Sequence, residues 1–325
     1  MNLLGVYFGY VFWASGARNF FGQGWWYHIF LRLWYGIDFS RATLISKTTT
    51  LWMRAGNMPL FFLQPSEIIP RCIYIDRKNK VIVNAVGLSG PGFKKLLKKN
   101  KWQKMKKPFL LSVMPVGKTK EERLEEMREI IVLLFADMRR KAWATEFGLE
   151  INISCPNTEH DPNELVKEAM ELLEIARRSG LPIVLKINAL VKIKSALAIA
   201  ESGLCDAIDV SNTIPFGELP DRIPWKKLFP EGSPLLKRGL KEKGGLSGEP
   251  LLEIVADWIR EFRKFNKLFP LIGGGGILDA RDVDVMFESG ATAISIGSIV
   301  MLAPQSIRGV MERIDRHMRM DLIRK

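Results

Sequence analysis

The chain has 325 residues, 47% hydrophobic and 26% charged, the composition of an ordinary globular protein with a full core rather than a disordered or fibrous one. Three cysteines, Cys72, Cys155 and Cys205, stand far apart with no C-x-x-C pair, which argues against a disulfide framework, a zinc site or an iron–sulfur cluster and suits a reducing, cytoplasmic setting. The net charge of +13 would suit a polyanion or acidic ligands, but much of it sits in Lys94 to Lys107 and the tail from Arg308 to Lys325, and cationic helix faces are common without a nucleic-acid partner, so none is favoured.

The opening run MNLLGVYFGYVFWASGA is apolar, but it lacks a basic n-region and Gly5 and Gly9 interrupt it. It reads as a strand pair leading into a small-residue loop rather than a signal peptide. No stretch reaches the ~18 apolar residues of a membrane span. An aromatic segment follows, from Trp25-Trp26-Tyr27-His28-Ile29-Phe30 to Trp34-Tyr35. Its first reading is a helix packed on the bottom of the fold. The alternative is a docking face for a membrane, peripherally, or for an electron-acceptor partner.

From about residue 40, short apolar strands alternate with amphipathic stretches. The strands are expected at Thr43–Ser46, Val81–Val86, Phe109–Met114, Leu149–Ser154, Ile183–Ile187, Ala207–Val210, Leu271–Gly273 and Ala293–Ile296. Helices are expected at Lys120–Arg140, Asn163–Ser179, Lys192–Ser202, Pro250–Phe262, Ala280–Ser289 and Gln305–Arg316. Asp161-Pro162 opens the second of these, and Asp279 is the expected N-cap of the fifth. Near-continuous hydrophobicity in each strand points to a parallel sheet buried on both faces. Eight βα repeats favour a (β/α)8 TIM barrel, α/β in class, preceded by an N-terminal strand pair. With no linker or repeat, residues 1–325 read as one domain.

Chemistry in such a barrel sits at the C-terminal strand ends. Those ends carry Lys47, Asn84, Cys155, Asn157, Lys186 and Asn212-Thr213, then Gly273–Gly276 and Gly297-Ser298. Glycine turns running into helices on the last two strands suit a phosphate, because backbone N–H groups and the helix dipole converge there. Lys186 lies inside an apolar strand, and a buried ammonium needs an anion. It reads as a ligand contact, with Asp209 the main alternative partner; Lys47 follows the same logic. A mouth poor in acids and rich in Lys and Asn suits anionic ligands. Cys155 ends a strand between two carboxamides, Asn152 and Asn157. A thiol there is either a buried structural residue or an acid/base flanked by hydrogen-bonding clamps.

Taken in order, these motifs resemble the dihydroorotate dehydrogenase family, flavin enzymes of pyrimidine synthesis built on an eight-fold barrel. The likeness runs through Ala14-Ser15-Gly16, Ser46-Lys47-Thr48, Arg54–Asn57, Asn84–Leu88 and Asn152–Thr158. It continues through Leu185-Lys186, Ser211-Asn212-Thr213, Gly244–Gly248, Ile272–Ile277 and Ile296-Gly297-Ser298. The resemblance implies flavin mononucleotide (FMN) as cofactor, held by Ala14, Ser15, Lys47, Thr48, Asn152, Lys186, Ser211, Gly248, Gly275, Gly276, Gly297 and Ser298. It implies a dihydroorotate site at Lys47, Asn84, Gly87, Leu88, Asn152, Asn157, Asn212 and Thr213. Cys155 would be the base that removes the C5 proton, while C6 delivers hydride to flavin N5. A cysteine there resembles the soluble class; the quinone-reducing class carries serine.

Two departures stand out: Gly90 occupies a place where the family has asparagine, and Thr158 follows Cys-Pro-Asn as in the serine class. His160 reads as an exposed loop residue, with assistance to Cys155 as the alternative. With no cysteine cluster or dinucleotide fingerprint, electrons would leave to fumarate, to a quinone or through a partner subunit; a homodimer also fits. Rival readings are a tRNA-dihydrouridine synthase-like or dihydropyrimidine dehydrogenase-like flavin barrel, or a catalytically idle flavoprotein scaffold.

Overall fold

The computed structural model describes residues 1–153 and 162–324. Eight parallel strands form its central sheet: β1 (Val11–Trp13), β2 (Thr43–Leu44), β3 (Phe109–Val113), β4 (Phe147–Asn152), β5 (Ile183–Ile187), β6 (Ala207–Val210), β7 (Leu271–Gly274) and β8 (Ala293–Ile296). Their spatial order is β2-β1-β8-β7-β6-β5-β4-β3. Parallel bridges Ile45–Leu110 and Thr49–Val113 join the two ends of that order into a barrel. The fold is the expected (β/α)8 architecture.

The strand assignment needs one correction. Val81–Val86 is not a barrel strand; Val11–Trp13 takes that role. Val81–Asn84 pairs antiparallel with Ile73–Asp76 and with Gly245–Gly248, in a four-stranded sheet outside the barrel. Val81 and Val83 are buried in that sheet's own core, with Ile214, Trp225, Phe229 and Leu246, while Ile82 faces the main core. Asp76 supplied the missing signal: its carboxylate accepts from the Asn79 backbone N–H, and Lys80 takes a positive φ of 52°, so Asp76–Val81 is a hairpin turn. Gly244–Gly248 is correspondingly mostly strand, not loop.

Helices follow the expected pattern closely. The main ones are α1 (His28–Tyr35), α2 (Phe93–Leu97), α3 (Lys120–Arg140), α4 (Pro162–Arg177), α5 (Ile193–Glu201), α6 (Leu251–Phe265), α7 (Ala280–Glu288) and α8 (Ile307–Arg324). Thr119 and Glu122 form a capping box on α3, and Asp279 with Asp282 does the same on α7. Asp161 lies outside the described residues. The aromatic segment also departs from its first reading. α1 links β1 to β2 on the barrel flank and buries only His28 and Leu31. The antiparallel pair Asn2–Leu3 and Val6–Tyr7 closes the bottom instead, with Met1, Leu3, Val6 and Phe8 plugging the interior.

Strand alternation organises the barrel interior. One inward row is apolar and packs on the plug: Phe12, Ile45, Leu110, Val184, Ala207, Ile272 and Ala293. Gly148 joins this row because a Cβ there would come 3.2 Å from the Phe8 ring. Two residues further along the same strands the row turns polar, with Lys47, Ser112, Glu150, Lys186, Asp209 and Ser295, all buried. The barrel is thus dry at its base and charged towards its mouth.

Candidate active site

The polar row holds a buried ion cluster. Lys186 Nζ donates to Asp209 Oδ2 at 2.7 Å and lies 3.8 Å from Glu150 Oε2. Ser295 Oγ donates to the other Asp209 oxygen at 3.3 Å, and Ser112 Oγ donates to Glu150 Oε1 at 2.6 Å. Parallel register makes this meeting possible, since Lys186 stands opposite Asp209 and Ser112 opposite Glu150. Burial alone would lower the Lys186 pKa, but the two carboxylates together carry it above its ordinary value. Burial pushes the Glu150 carboxyl up, against the pull of Lys186. Its Oε2 has no hydrogen-bond partner in the described structure.

Above this cluster, a chain of hydroxyls and amides crosses four strand ends. Asn212 Nδ2 donates to Asn152 Oδ1 at 2.8 Å, and Asn152 Nδ2 donates to Thr48 Oγ1 at 3.1 Å. Thr48 Oγ1 lies 2.7 Å from Ser15 Oγ and 2.9 Å from Ser112 Oγ, tying the chain to the ion cluster below. Ser211 completes the rim: its backbone N–H donates to Gly274 O at 2.8 Å.

Lys47 is buried and donates to the Ser89 carbonyl at 2.6 Å, which fastens it to the loop carrying Gly87 and Leu88. Burial pushes its ammonium down to about 8. Asn84 ends its antiparallel strand opposite Gly245, and Thr213 packs on Gly245 so closely that a Cβ there would sit 2.3 Å from the hydroxyl. Gly90 also has a steric reason: a Cβ would meet the Phe20 ring at 3.1 Å.

The glycine turns form a cradle of backbone. At Gly248, φ is 114° and a Cβ would lie 2.2 Å from Lys80 O; at Gly276, φ is 73° and a Cβ would lie 2.6 Å from Leu252 N. At Gly276 only glycine lets the turn approach the start of α6, which has no side-chain cap, while Gly248 passes against the Lys80 carbonyl just before that helix. Gly297 sits against Ala14, whose N–H donates to Ile296 O at 2.9 Å. Ser298 opens the short helix Ile299–Leu302, also without a side-chain cap. Two helix starts without side-chain caps beside glycine turns fit a phosphate monoester. Neutral hydroxyls and amides fit the edge of a flat heterocycle beside it.

Cys155, Asn157, Thr158 and His160 lie outside the described residues. The structure brings Ser15, Thr48, Asn152 and Asn212 together, and separately groups Gly248 with Gly276 around α6. It also shows an acid that sequence reading passed over. Glu150 stands two residues before Asn152 and so shares its inward face, a signal legible in Glu-Ile-Asn. The interior therefore holds two carboxylates, although the mouth above them is neutral and cationic. Among the described residues no cluster of His, Cys, Asp or Glu could hold a metal.

The family model described as dihydroorotate dehydrogenase matches residues 37–318. The chain is 29% identical over 248 residues to the catalytic subunit of dihydroorotate dehydrogenase B (NAD(+)) of Caldicellulosiruptor bescii, covering 73% of each chain. It is 31% identical over 229 residues to dihydroorotate dehydrogenase A (fumarate) of Lactobacillus delbrueckii subsp. bulgaricus, covering 67% of this chain and 66% of that one. Among solved structures, DHODH of Eimeria tenella in complex with ferulenol superposes with a TM-score of 0.64 at 18% identity. That match covers 99% of this chain and 85% of the other, and shows the shared fold.

Proposed function

The chain belongs to the dihydroorotate dehydrogenase family, oxidoreductases of dihydroorotate-like substrates, and from that premise we propose that it oxidises (S)-dihydroorotate to orotate in pyrimidine synthesis with FMN bound. The observation that carries this reading is the Asn212–Asn152–Thr48–Ser15 chain across the barrel mouth. FMN, when bound, supplies the hydride acceptor. Gly248, Gly275, Gly276, Gly297 and Ser298 hold its phosphate, and Ala14, Ser15, Thr48 and Ser211 line its ring. Lys186 offers its charge from below, held by Asp209.

Lys47 binds the substrate carboxylate. Asn152, Asn157 and Asn212, with Thr213 and Asn84, hydrogen-bond the ring amides, and Gly87 and Leu88 close over it. Cys155 takes the C5 proton as hydride leaves C6. Burial pushes Cys72 to about 11 and Cys205 to about 12, so neither of those thiols can serve as base near neutral pH.

The decisive experiment is anaerobic. The purified protein should be yellow, and dihydroorotate should bleach it. A flavin that stays oxidised with dihydroorotate yet is reduced by dihydrouridine-containing tRNA would assign the chain to tRNA modification instead.

A pH dependence follows from Lys47. With its ammonium pushed down to about 8, the free enzyme loses that cation as pH rises through this value. Orotate affinity should therefore be highest below pH about 8 and fall above it. Titrating the flavin spectrum with orotate between neutral and alkaline pH checks this. Affinity that stays flat would remove Lys47 from the carboxylate site.

A further inference from the structure

α1 presents an apolar ridge outward, where an ordinary flank helix is polar. Leu33 and Trp34 are 74% and 73% exposed. Trp26, Phe30 and Trp34 touch in succession, with ring centroids 6.2 and 5.4 Å apart. The hairpin Leu60–Phe61 with Gln64–Pro65 extends the ridge, since Gln64 Oε1 accepts from the Trp26 backbone N–H at 3.0 Å. At its tip Phe62 is 86% exposed.

Charge is distributed to match. No Asp or Glu occurs between Asp76 and Glu121, a stretch with 13 Lys and Arg, and the other 35 basic residues equal the 35 acidic ones. This one segment therefore carries a net charge equal to that of the whole chain. Eight of its lysines fall between Lys94 and Lys107, all exposed. This part of the chain lies beside the connections that flank α1: Lys101 sits 5.5 Å from the Phe21 ring, and Lys107 donates to Ser40 O at 3.0 Å.

We propose that this face docks on a lipid bilayer carrying anionic headgroups. Trp26, Phe30, Leu33, Trp34 and Phe62 enter the interfacial layer, and the lysine segment binds the headgroups beside them. Aromatic rings next to a lysine-rich segment free of acidic residues suit that boundary, where one side is apolar and the other anionic. A second copy of the chain fits less well, because pairing through this face would bring two such lysine segments together. Among the described residues no helix is long and apolar enough to cross a membrane, so the contact is peripheral.

Sedimentation of the whole protein with vesicles tests this. It should pellet with mixed phosphatidylcholine–phosphatidylglycerol vesicles and much less with phosphatidylcholine alone. Leu33→Ser with Trp34→Ser should cut that binding by about tenfold or more while leaving circular dichroism unchanged, since both side chains face solvent. Lys94→Gln with Lys98→Gln should weaken binding and flatten its salt dependence. Absence of wild-type binding to the anionic vesicles, or equal binding by the Leu33/Trp34 variant, overturns the proposal. So does a dimer that this variant converts to monomer without any vesicle binding, which would assign the face to a second copy.

Discussion

Asp209→Ala should destabilise the protein by ~3–5 kcal/mol, the usual cost of removing one partner from a buried ion pair. For a chain this long, at ~2.1 cal/mol/K per residue, that corresponds to a fall in Tm of about 4–7 °C. The reason is geometric. Lys186 is buried, and its short bond is the 2.7 Å contact to Asp209. Glu150, at 3.8 Å, is the only other carboxylate beside it among the described residues. Glu150→Gln should behave differently, changing stability by less than ~1 kcal/mol, because it keeps the Ser112 bond and removes a raised, half-satisfied acid. A carboxyl whose folded pKa is raised costs stability as pH climbs above the ordinary carboxylate range. Glu150→Gln should therefore gain on the wild type with rising pH. Combining it with Asp209→Ala should cost more than the sum, since Lys186 then has no anion to turn to. Urea unfolding of the four proteins measures this cycle. Equal losses from the two single variants would refute the assignment of Asp209 as the principal partner.

The barrel was largely legible because seven of its strands announce themselves as short apolar runs with helices between them. The eighth was misplaced for a specific reason. Val81–Asn84 is as apolar as any barrel strand, but it pairs in the small antiparallel sheet, whose core takes Val81 and Val83 while Ile82 packs on the main core. Val11–Trp13 was hidden inside a longer apolar stretch that also contains the bottom plug. Periodicity reports burial and does not say which core does the burying. Of the candidate site, Asn152, Lys186 and the glycines stand out in the sequence, because polar or small residues interrupt apolar strands there. In the sequence Asp209 is only one of the partners open to Lys186, and Glu150, though alternation turns it inward, is not marked as the second. Register decides both, and register is a tertiary property.

Cys155→Ala should slow anaerobic bleaching by dihydroorotate by roughly 10²–10⁴-fold, the range expected when a positioned general base is lost. That is about 3–5.5 kcal/mol of transition-state stabilisation. The protein should stay yellow, because the glycine cradle and the hydroxyl–amide chain involve other residues. Cys155→Ser should be milder, keeping an oxygen that can still take the proton. The pH profile separates this role from simple damage. A thiol base works when deprotonated, so the wild-type bleaching rate at saturating substrate should rise with pH through the thiol range near about 8.5. Lys47 acts in the opposite sense, since it loses its charge above about 8 and binding weakens. The rate constant should then climb while affinity falls, leaving their product, the rate constant divided by the dissociation constant, with a maximum near pH 8. Cys155→Ala should lose the rising limb and keep the falling one. A variant that bleaches at the wild-type rate, or retains the rising limb, would show that the proton goes elsewhere.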